Sequence, residues 1–316
     1  MMKRLMPLLL VLCLLSGCAD KPGHSSVQGE EPGGFTFTDD LGRSVSVGEP
    51  KRVAALIGSF ADIWCLAGGK ESLAAAANDA WTGFELDLPE DVVNLGGVKT
   101  PDLERLLAAK PDLVLASSNT AAQVELLSVL EGAGLNVAYF KVTNFEEYLH
   151  MLEVCTQITG EQACYEQHGR ALEEQIWQAK ARSDGSAPRV LYVRATGSSC
   201  KVKNSEDSVL GEMLADLGCV NIADGEHALL EELSLEAIIR EDPEYIFLVM
   251  QGADPAAARQ TLERTLLSNP AWSSLTAVQE GRCHVMDDRL YNLKPNARWG
   301  EAYEKLADIL YPQETA

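Results

Sequence analysis

Two glutamates stand at matched places in this chain. Residues 103–112 read Leu103-Glu104-Arg105-Leu106-Leu107-Ala108-Ala109-Lys110-Pro111-Asp112, and residues 235–244 read Leu235-Glu236-Ala237-Ile238-Ile239-Arg240-Glu241-Asp242-Pro243-Glu244. In both, a Leu-Glu pair opens a short amphipathic run, a proline stands seven residues after the glutamate, and an acid follows. A carboxylate near a helix start is favoured by the helix macrodipole and can accept a bidentate arginine fork. A single such acid needs no more than an N-terminal charge effect of about 0.3–1 kcal/mol. The same acid repeated in the same setting points to a surface that meets something two-fold symmetric.

A second group of side chains is basic. Arg194, Lys201, Lys203, Arg289, Lys294 and Arg298 gather on the second-lobe side of a chain that carries 26 basic against 47 acidic residues. Guanidinium forks suit carboxylates, so this local excess fits an anionic small molecule. The net charge of −21 argues against nucleic acid, whose binding needs a basic face. Trp81 and Tyr291 lie in polar stretches with no period that would bury them, and a rigid aromatic there offers stacking area at small entropic cost.

Other chemistry finds no support. HExxH, GxSxG, GxxxxGK[ST] and GxGxxG motifs are absent, and Gly197-Ser198-Ser199-Cys200 has no evident base and reads as a turn, so the chain is expected not to be an enzyme. The five histidines (His24, His150, His168, His227 and His284) have no metal-ligand spacing, and no bare metal site is expected. Of the eight cysteines, Cys65, Cys155, Cys164, Cys200, Cys219 and Cys283 remain beyond the N-terminal segment; both disulfides and buried free thiols are open to them.

The elements that position these groups follow from punctuation. Proline cannot continue a helix and pushes its predecessor out of the α region, so each copy of the repeat is a helix stopped before a continuous apolar, parallel-type strand. Strands are expected at 52–57, 73–77, 113–116, 136–141, 189–193, 245–250 and 284–286, with helices between them. Residues 144–182 hold no strand run and no proline, with apolar residues at helical spacing, and predict one long helix with an interruption near Gly160. The fold class is therefore α/β: an N-terminal parallel-sheet lobe over 35–143, a connecting helix over 144–184, a C-terminal parallel-sheet lobe over 185–312 and a tail at 313–316. Ligands in such sheets bind beyond the carboxyl ends of the strands. That rule selects Ser59 and Phe60, Trp81, Asn119, Arg194 and Lys203 on the loop 194–203, and Arg289, Tyr291 and Arg298.

The first residues read as a targeting segment. Lys3 and Arg4 precede an apolar run from Leu5 to Leu15, too short to span a bilayer, which ends in Ser16-Gly17-Cys18. This order resembles the lipobox of bacterial lipoproteins, which implies cleavage of a signal over 1–17 and lipidation of Cys18; an ordinary secretory signal is the alternative. Residues 18–34, rich in Gly, Pro, Ser and Glu, then form a flexible tether.

Asp40-Leu41-Gly42-Arg43, Arg52-Val53-Ala54-Ala55-Leu56, Leu95-Gly96-Gly97, the two Leu-Glu…Pro units and Gly218-Cys219-Val220-Asn221-Ile222 follow one another in a set order over about residues 35–312. In that order the chain resembles the lipid-anchored substrate-binding proteins of ATP-binding-cassette importers for iron-siderophores, haem and vitamin B12. The resemblance implies a ligand cleft between two lobes joined by a stiff helix. It implies docking of Glu104 and Glu236 on arginines of a permease dimer served by a cytoplasmic ATPase. The protein is expected to be an extracytoplasmic, membrane-anchored monomer without a cofactor, binding an iron-siderophore or related metal chelate. Haem (with a tyrosine such as Tyr291 as axial ligand) or cobalamin is the alternative within this type, and a lipid-anchored protein- or peptide-binding module is the alternative outside it.

Overall fold

Glycine and proline cut the chain into short strands and helices, and a computed structural model shows how they assemble; it describes residues 34–206, 208–231, 233–252 and 254–313. The signal, Cys18 and all of the tether but Gly34 lie outside the described residues. An antiparallel hairpin of β1 (Phe35–Thr38) and β2 (Ser44–Val47) comes first, and strict alternation puts Phe37, Val45 and Val47 in the core. Asp39 pairs with Arg43 across its turn at 2.6 Å, and Arg43 also donates to the carbonyl of Val137 at 2.7 Å.

The first lobe contains β3 (Val53–Ala55), α1 (Gly58–Leu66), β4 (Leu73–Ala76), α2 (Asp79–Thr82), β5 (Val93–Asn94), α3 (Leu103–Ala109), β6 (Leu113–Ser117) and β7 (Val137–Phe140). Its sheet is wholly parallel, in the order β5-β4-β3-β6-β7. Every residue of β3, β4, β6 and β7 is buried, as continuous apolar strands covered on both faces must be.

The segment expected as one long helix is two arms. The first, α4 (Phe145–Thr159), starts at Asn144, whose side chain accepts the N–H of Glu147, and stops at Gly160, which takes the left-handed conformation at φ 79°. The second, α5, runs over residues 162–180, with α-helical Gln162–Tyr165 and Ala171–Lys180 on either side of a π turn at Glu166–Arg170. Tyr148 donates its hydroxyl to the carbonyl of His168 at 2.7 Å. On a straight helix residues this far apart in sequence would be about 30 Å apart, so the chain reverses at Gly160. The unbroken connector is the second arm alone. A helix stopped by a left-handed glycine and a helix merely bent there give the same apolar period, which is why periodicity ran the two together.

The second lobe contains β8 (Arg189–Ala195), β9 (Cys200–Lys203), α6 (Val209–Asp216), β10 (Val220–Asn221), α7 (Leu235–Glu241), β11 (Tyr245–Met250), α8 (Pro255–Leu262), β12 (Cys283–Met286), α9 (Asp288–Tyr291) and α10 (Trp299–Leu310). Strand order is β9-β8-β11-β12, with β10 paired to the start of β8 and β9 antiparallel. Residues 194–203, expected as a loop, are thus mostly an antiparallel hairpin turned at Thr196–Ser199, where the N–H of Thr196 donates to the carbonyl of Ser199 at 2.8 Å.

One buried cluster runs without a break from the first lobe through both arms into the second. It joins Phe60, Phe140, Tyr148, Leu152, Ile176, Tyr192, Leu210, Phe247 and Trp299. Trp299, fully buried, sits at ring-centroid distances of 6.1 Å from Phe145 and 6.4 Å from Tyr148 and Tyr303. The C-terminal helix α10 is tied down twice: Arg182, just after the connector, bonds Asp308 at 2.6 Å, and Tyr303 donates to Asp216 at the end of α6 at 2.8 Å.

The repeat proves deeper than its letters. Both helices are N-capped by the residue before the Leu-Glu pair, Asp102 accepting the N–H of Arg105 at 3.0 Å and Ser234 that of Ala237 at 3.2 Å. Both end on a left-handed residue before the proline, Lys110 at φ 48° and Asp242 at φ 38°. The acid after each proline holds the start of the adjacent strand: Asp112 accepts the N–H groups of Lys51 and Arg52, and Glu244 that of Arg189. The arginine there reaches back to the helix end, Arg52 to the carbonyl of Ala109 and Arg189 to that of Glu241. Cationic capping of orphan carbonyls thus recurs in both lobes.

Candidate functional site between the lobes

In each lobe the helix of the repeat runs back antiparallel to the strand it precedes, so its first turn lies at the carboxyl edge of the sheet. Glu104 and Glu236 therefore stand at the carboxyl edges of their own lobes. Both are exposed, and neither has an ion-pair or hydrogen-bond partner among the described residues.

The carboxyl ends of β3, β4 and β12 converge on a cavity of about 200 Å³. The first lobe contributes Asp62 from α1 and Gly83 and Phe84 after α2; the second contributes Arg289 from α9 and then Lys294 and Arg298 from the segment leading to α10. Local packing explains the shape. A Cβ at Gly58 would stand 2.4 Å from the backbone nitrogen of Ala80, so only glycine lets α1 start against α2. The N–H of Gly58 donates to Asp79 at 2.9 Å. A larger cavity of about 280 Å³ lies around Trp64, Gly69 and Glu71, by the amino ends of β3 and β4, away from the edge where α/β ligands bind.

The lobes meet at this cavity through specific bonds. Asn296, fully buried and at φ 52°, donates its amide to the carbonyl of Ser59 at 3.0 Å and to the carboxylate of Asp62 at 2.8 Å. Arg289 pairs with Glu85 of the opposite lobe at 2.8 Å. Arg298 grips Glu301 with two bonds of 2.6 and 2.9 Å, and these together with Lys305 hold the Glu301 carboxyl down to about 2. Burial pushes the carboxyls of Asp62 and Asp79 up, against the stabilising bonds from Asn296 and Gly58. It pushes the Lys294 ammonium down, opposed by the nearby carboxylates of Asp79 and Glu147. The site is a small, half-open space with three cations facing it and buried carboxyls behind them.

Of the nine residues expected at the cleft, Arg289 and Arg298 line this cavity. Ser59 is buried in the first turn of α1 and does not line the cavity; its carbonyl accepts from Asn296, and its hydroxyl has no partner among the described residues. Two expectations are corrected. Phe60 is fully buried and meets Phe140 edge-on at 6.4 Å, and Tyr291 is 2 % exposed with its hydroxyl given to the carbonyl of Ala302 at 3.0 Å. Neither ring can stack on a ligand, and the Tyr291 phenol, pushed up by burial, is not placed to ligate haem iron. Each lies in a helix, where facing the core outweighs a polar neighbourhood in sequence. Trp81 is half-buried on α2 and packs toward the shared core, and Asn119 is exposed beyond β6.

Arg194 and Lys203 are strand residues rather than loop residues. Arg194 is half-buried, has no bonding partner among the described residues, and lies directly across from Lys201. Like charges in that position are unfavourable, so this pair weakens its own hairpin. Sequence reasoning missed Asp62, Phe84, Glu85 and Asn296. Asn296 had one signal, a polar residue between Pro295 and the last helix; the others had none, since their partners lie in the other lobe.

Comparison with known proteins agrees with this fold. The family model described as "Periplasmic binding protein" matches residues 53–290. The chain is 21 % identical over 304 residues to a putative ABC transporter substrate-binding lipoprotein, YhfQ, of Bacillus subtilis, covering 92 % of this chain and 91 % of the relative. It is 24 % identical over 290 residues to the Fe(3+)-citrate-binding protein YfmC of the same organism, covering 90 % and 88 % of the two chains. Among solved structures, the siderophore-binding protein BauB, bound to two acinetobactin molecules and ferric iron, superposes with a TM-score of 0.70 at 19 % identity, over 90 % of this chain and all of the other.

Proposed function

Because the chain belongs to the periplasmic binding protein family, we propose that it captures a ferric chelate outside the cytoplasmic membrane and hands it to an ATP-driven importer. The observation that carries this reading is the convergence of Arg289, Lys294 and Arg298 on a cavity walled by both lobes, in a chain of net charge −21. A bare ion would need ligands from the protein, and no group of three or more His, Cys, Asp or Glu side chains suited to a metal occurs among the described residues. A chelate brings its own ligands and presents charge, which is what these cations can recognise. The name of the relative YfmC, Fe(3+)-citrate-binding, supports an iron chelate over haem or a corrinoid.

In this reading the protein binds and releases its cargo without chemical change. Cys18 carries the lipid anchor, residues 18–34 form the tether, and the monomer docks through Glu104 and Glu236 on arginines of the two permease subunits. Charge pairs at the rim of such a contact set orientation and encounter rate more than affinity. At about 200 Å³ the cavity is below the roughly 300–1,000 Å³ of enclosed small-molecule sites, so the chelate is held with one side open. The test is native mass spectrometry of the mature chain with ferric citrate, a ferric hydroxamate, haem and cobalamin. One ferric chelate per chain, with its visible absorbance, is the expected result. Binding of haem or cobalamin alone would replace the ligand, and binding of none would overturn the reading.

A further inference from the structure

Each of the three cavity cations is opposed by a protein carboxylate, but not in the same way. Arg298 is forked to Glu301, three residues along the same segment, and half-buried Lys294 lies near Asp79. Arg289 differs. Its partner Glu85 comes from the other lobe, directly after the cavity residues Gly83 and Phe84, and the 2.8 Å bond joins side chains that are 40 % and 70 % exposed. Glu85 also holds the left-handed conformation at φ 51°, unfavourable for a residue with a Cβ.

So exposed a pair adds little to stability, and the buried amide of Asn296 already fastens the lobes here. The pair's main effect is to neutralise a partly exposed cation of the cavity with a carboxylate from the other lobe. We infer that Glu85 is a built-in competitor for an anionic ligand: its carboxylate occupies the place on Arg289 that a carboxylate of the bound chelate takes. The inference rests on the reading of this cavity as a ferric-chelate site and narrows the ligand to an anionic, carboxylate-bearing complex. It also makes Glu85 a specificity determinant, since a neutral chelate has nothing to exchange for the Glu85–Arg289 bond.

The experiment is calorimetric titration of the mature chain with two probes, ferric citrate and a charge-neutral ferric tris-hydroxamate. E85Q keeps the size of the side chain and removes its charge. It should tighten ferric citrate by a few-fold, up to about five-fold, the equivalent of an exposed pair of up to roughly 1 kcal/mol. It should leave the hydroxamate unchanged. R289Q should weaken ferric citrate, and E85Q added to R289Q should have no further effect, which separates competition from a general change of structure. High salt should shrink the difference between wild type and E85Q. Unchanged or weaker citrate binding in E85Q, or equal tightening of both probes, overturns the inference. Hydroxamate binding by wild type without citrate binding overturns it too while leaving the ferric-chelate reading in place; failure of both probes removes both.

Discussion

Replacing Asn296 should reveal how firmly the two lobes are fastened. Its amide makes two bonds, 3.0 Å to the carbonyl of Ser59 and 2.8 Å to Asp62, in a position with no exposure to solvent. N296A leaves both acceptors short of a donor. Losing a buried neutral bond costs about 1 kcal/mol and one to a carboxylate about 1.5–3 kcal/mol. Against this, the side-chain amide oxygen of Asn296 lacks a partner among the described residues, and its removal recovers part of the loss. The net expectation is about 2–3 kcal/mol of destabilisation. N296G should be milder by about 1 kcal/mol, because φ 52° strains alanine but not glycine. N296D should be the worst at neutral pH, since it sets a second carboxylate against Asp62, and should recover as the pair is protonated in acid. Urea unfolding followed by tryptophan fluorescence measures all three. The continuous core predicts a single transition in each. An alanine variant within about 0.5 kcal/mol of wild type would show that the amide does not fasten the lobes, and equal stability of the alanine and glycine variants would show that the backbone there carries no strain.

Changing both Glu104 and Glu236 to alanine should leave chelate affinity intact and abolish uptake in cells that depend on the importer, because both acids are exposed, without a partner among the described residues and outside the cavity; uptake preserved in the double variant would defeat the docking proposal. For Asp62 the folded pKa is raised by burial, so the folded state takes up its proton at a higher pH than the unfolded chain, and stability should rise as pH falls from neutral through the folded pKa toward about 4. D62N keeps an acceptor for Asn296, so it should unfold at a higher temperature than wild type at pH 7 and lose that advantage near pH 4; parallel melting curves across the range would contradict this. X-ray scattering with and without a bound ferric chelate should give nearly superimposable profiles, and a large fall in radius of gyration would refute a rigid two-lobe frame.

What sequence could show follows from the range of the interactions. The repeat was legible because Pro111 and Pro243 act on their immediate neighbours, and because four- to six-residue apolar runs such as Tyr245–Met250 have few alternatives to a buried strand. The hairpin at 194–203 was legible in principle: Cys200-Lys201-Val202-Lys203 alternates, and Val202 is buried where Lys201 is exposed. The polar turn Thr196–Ser199 obscured it. Phe60 and Tyr291 were misplaced because the first turn of α1 and the single turn of α9 are too short to show a period. Glu85–Arg289 and Asn296–Ser59 were beyond reach, since they join residues more than 200 positions apart.

The same features bear on how a loaded protein could be told from an empty one. A hinge needs two cores that part, whereas here one buried cluster passes from Phe60 through Tyr148 and Ile176 to Phe247. Opening the lobes would expose that cluster and break the Asn296 bonds together, a cost that exchange of one exposed ion pair cannot offset. Glu104 and Glu236 therefore keep nearly one spacing in both states, as the proposed docking on a permease dimer requires. Any signal of occupancy has to be local, and the Glu85–Arg289 pair, exposed and lying beside the cavity at the carboxyl edge, is the contact best placed to change when an anion arrives.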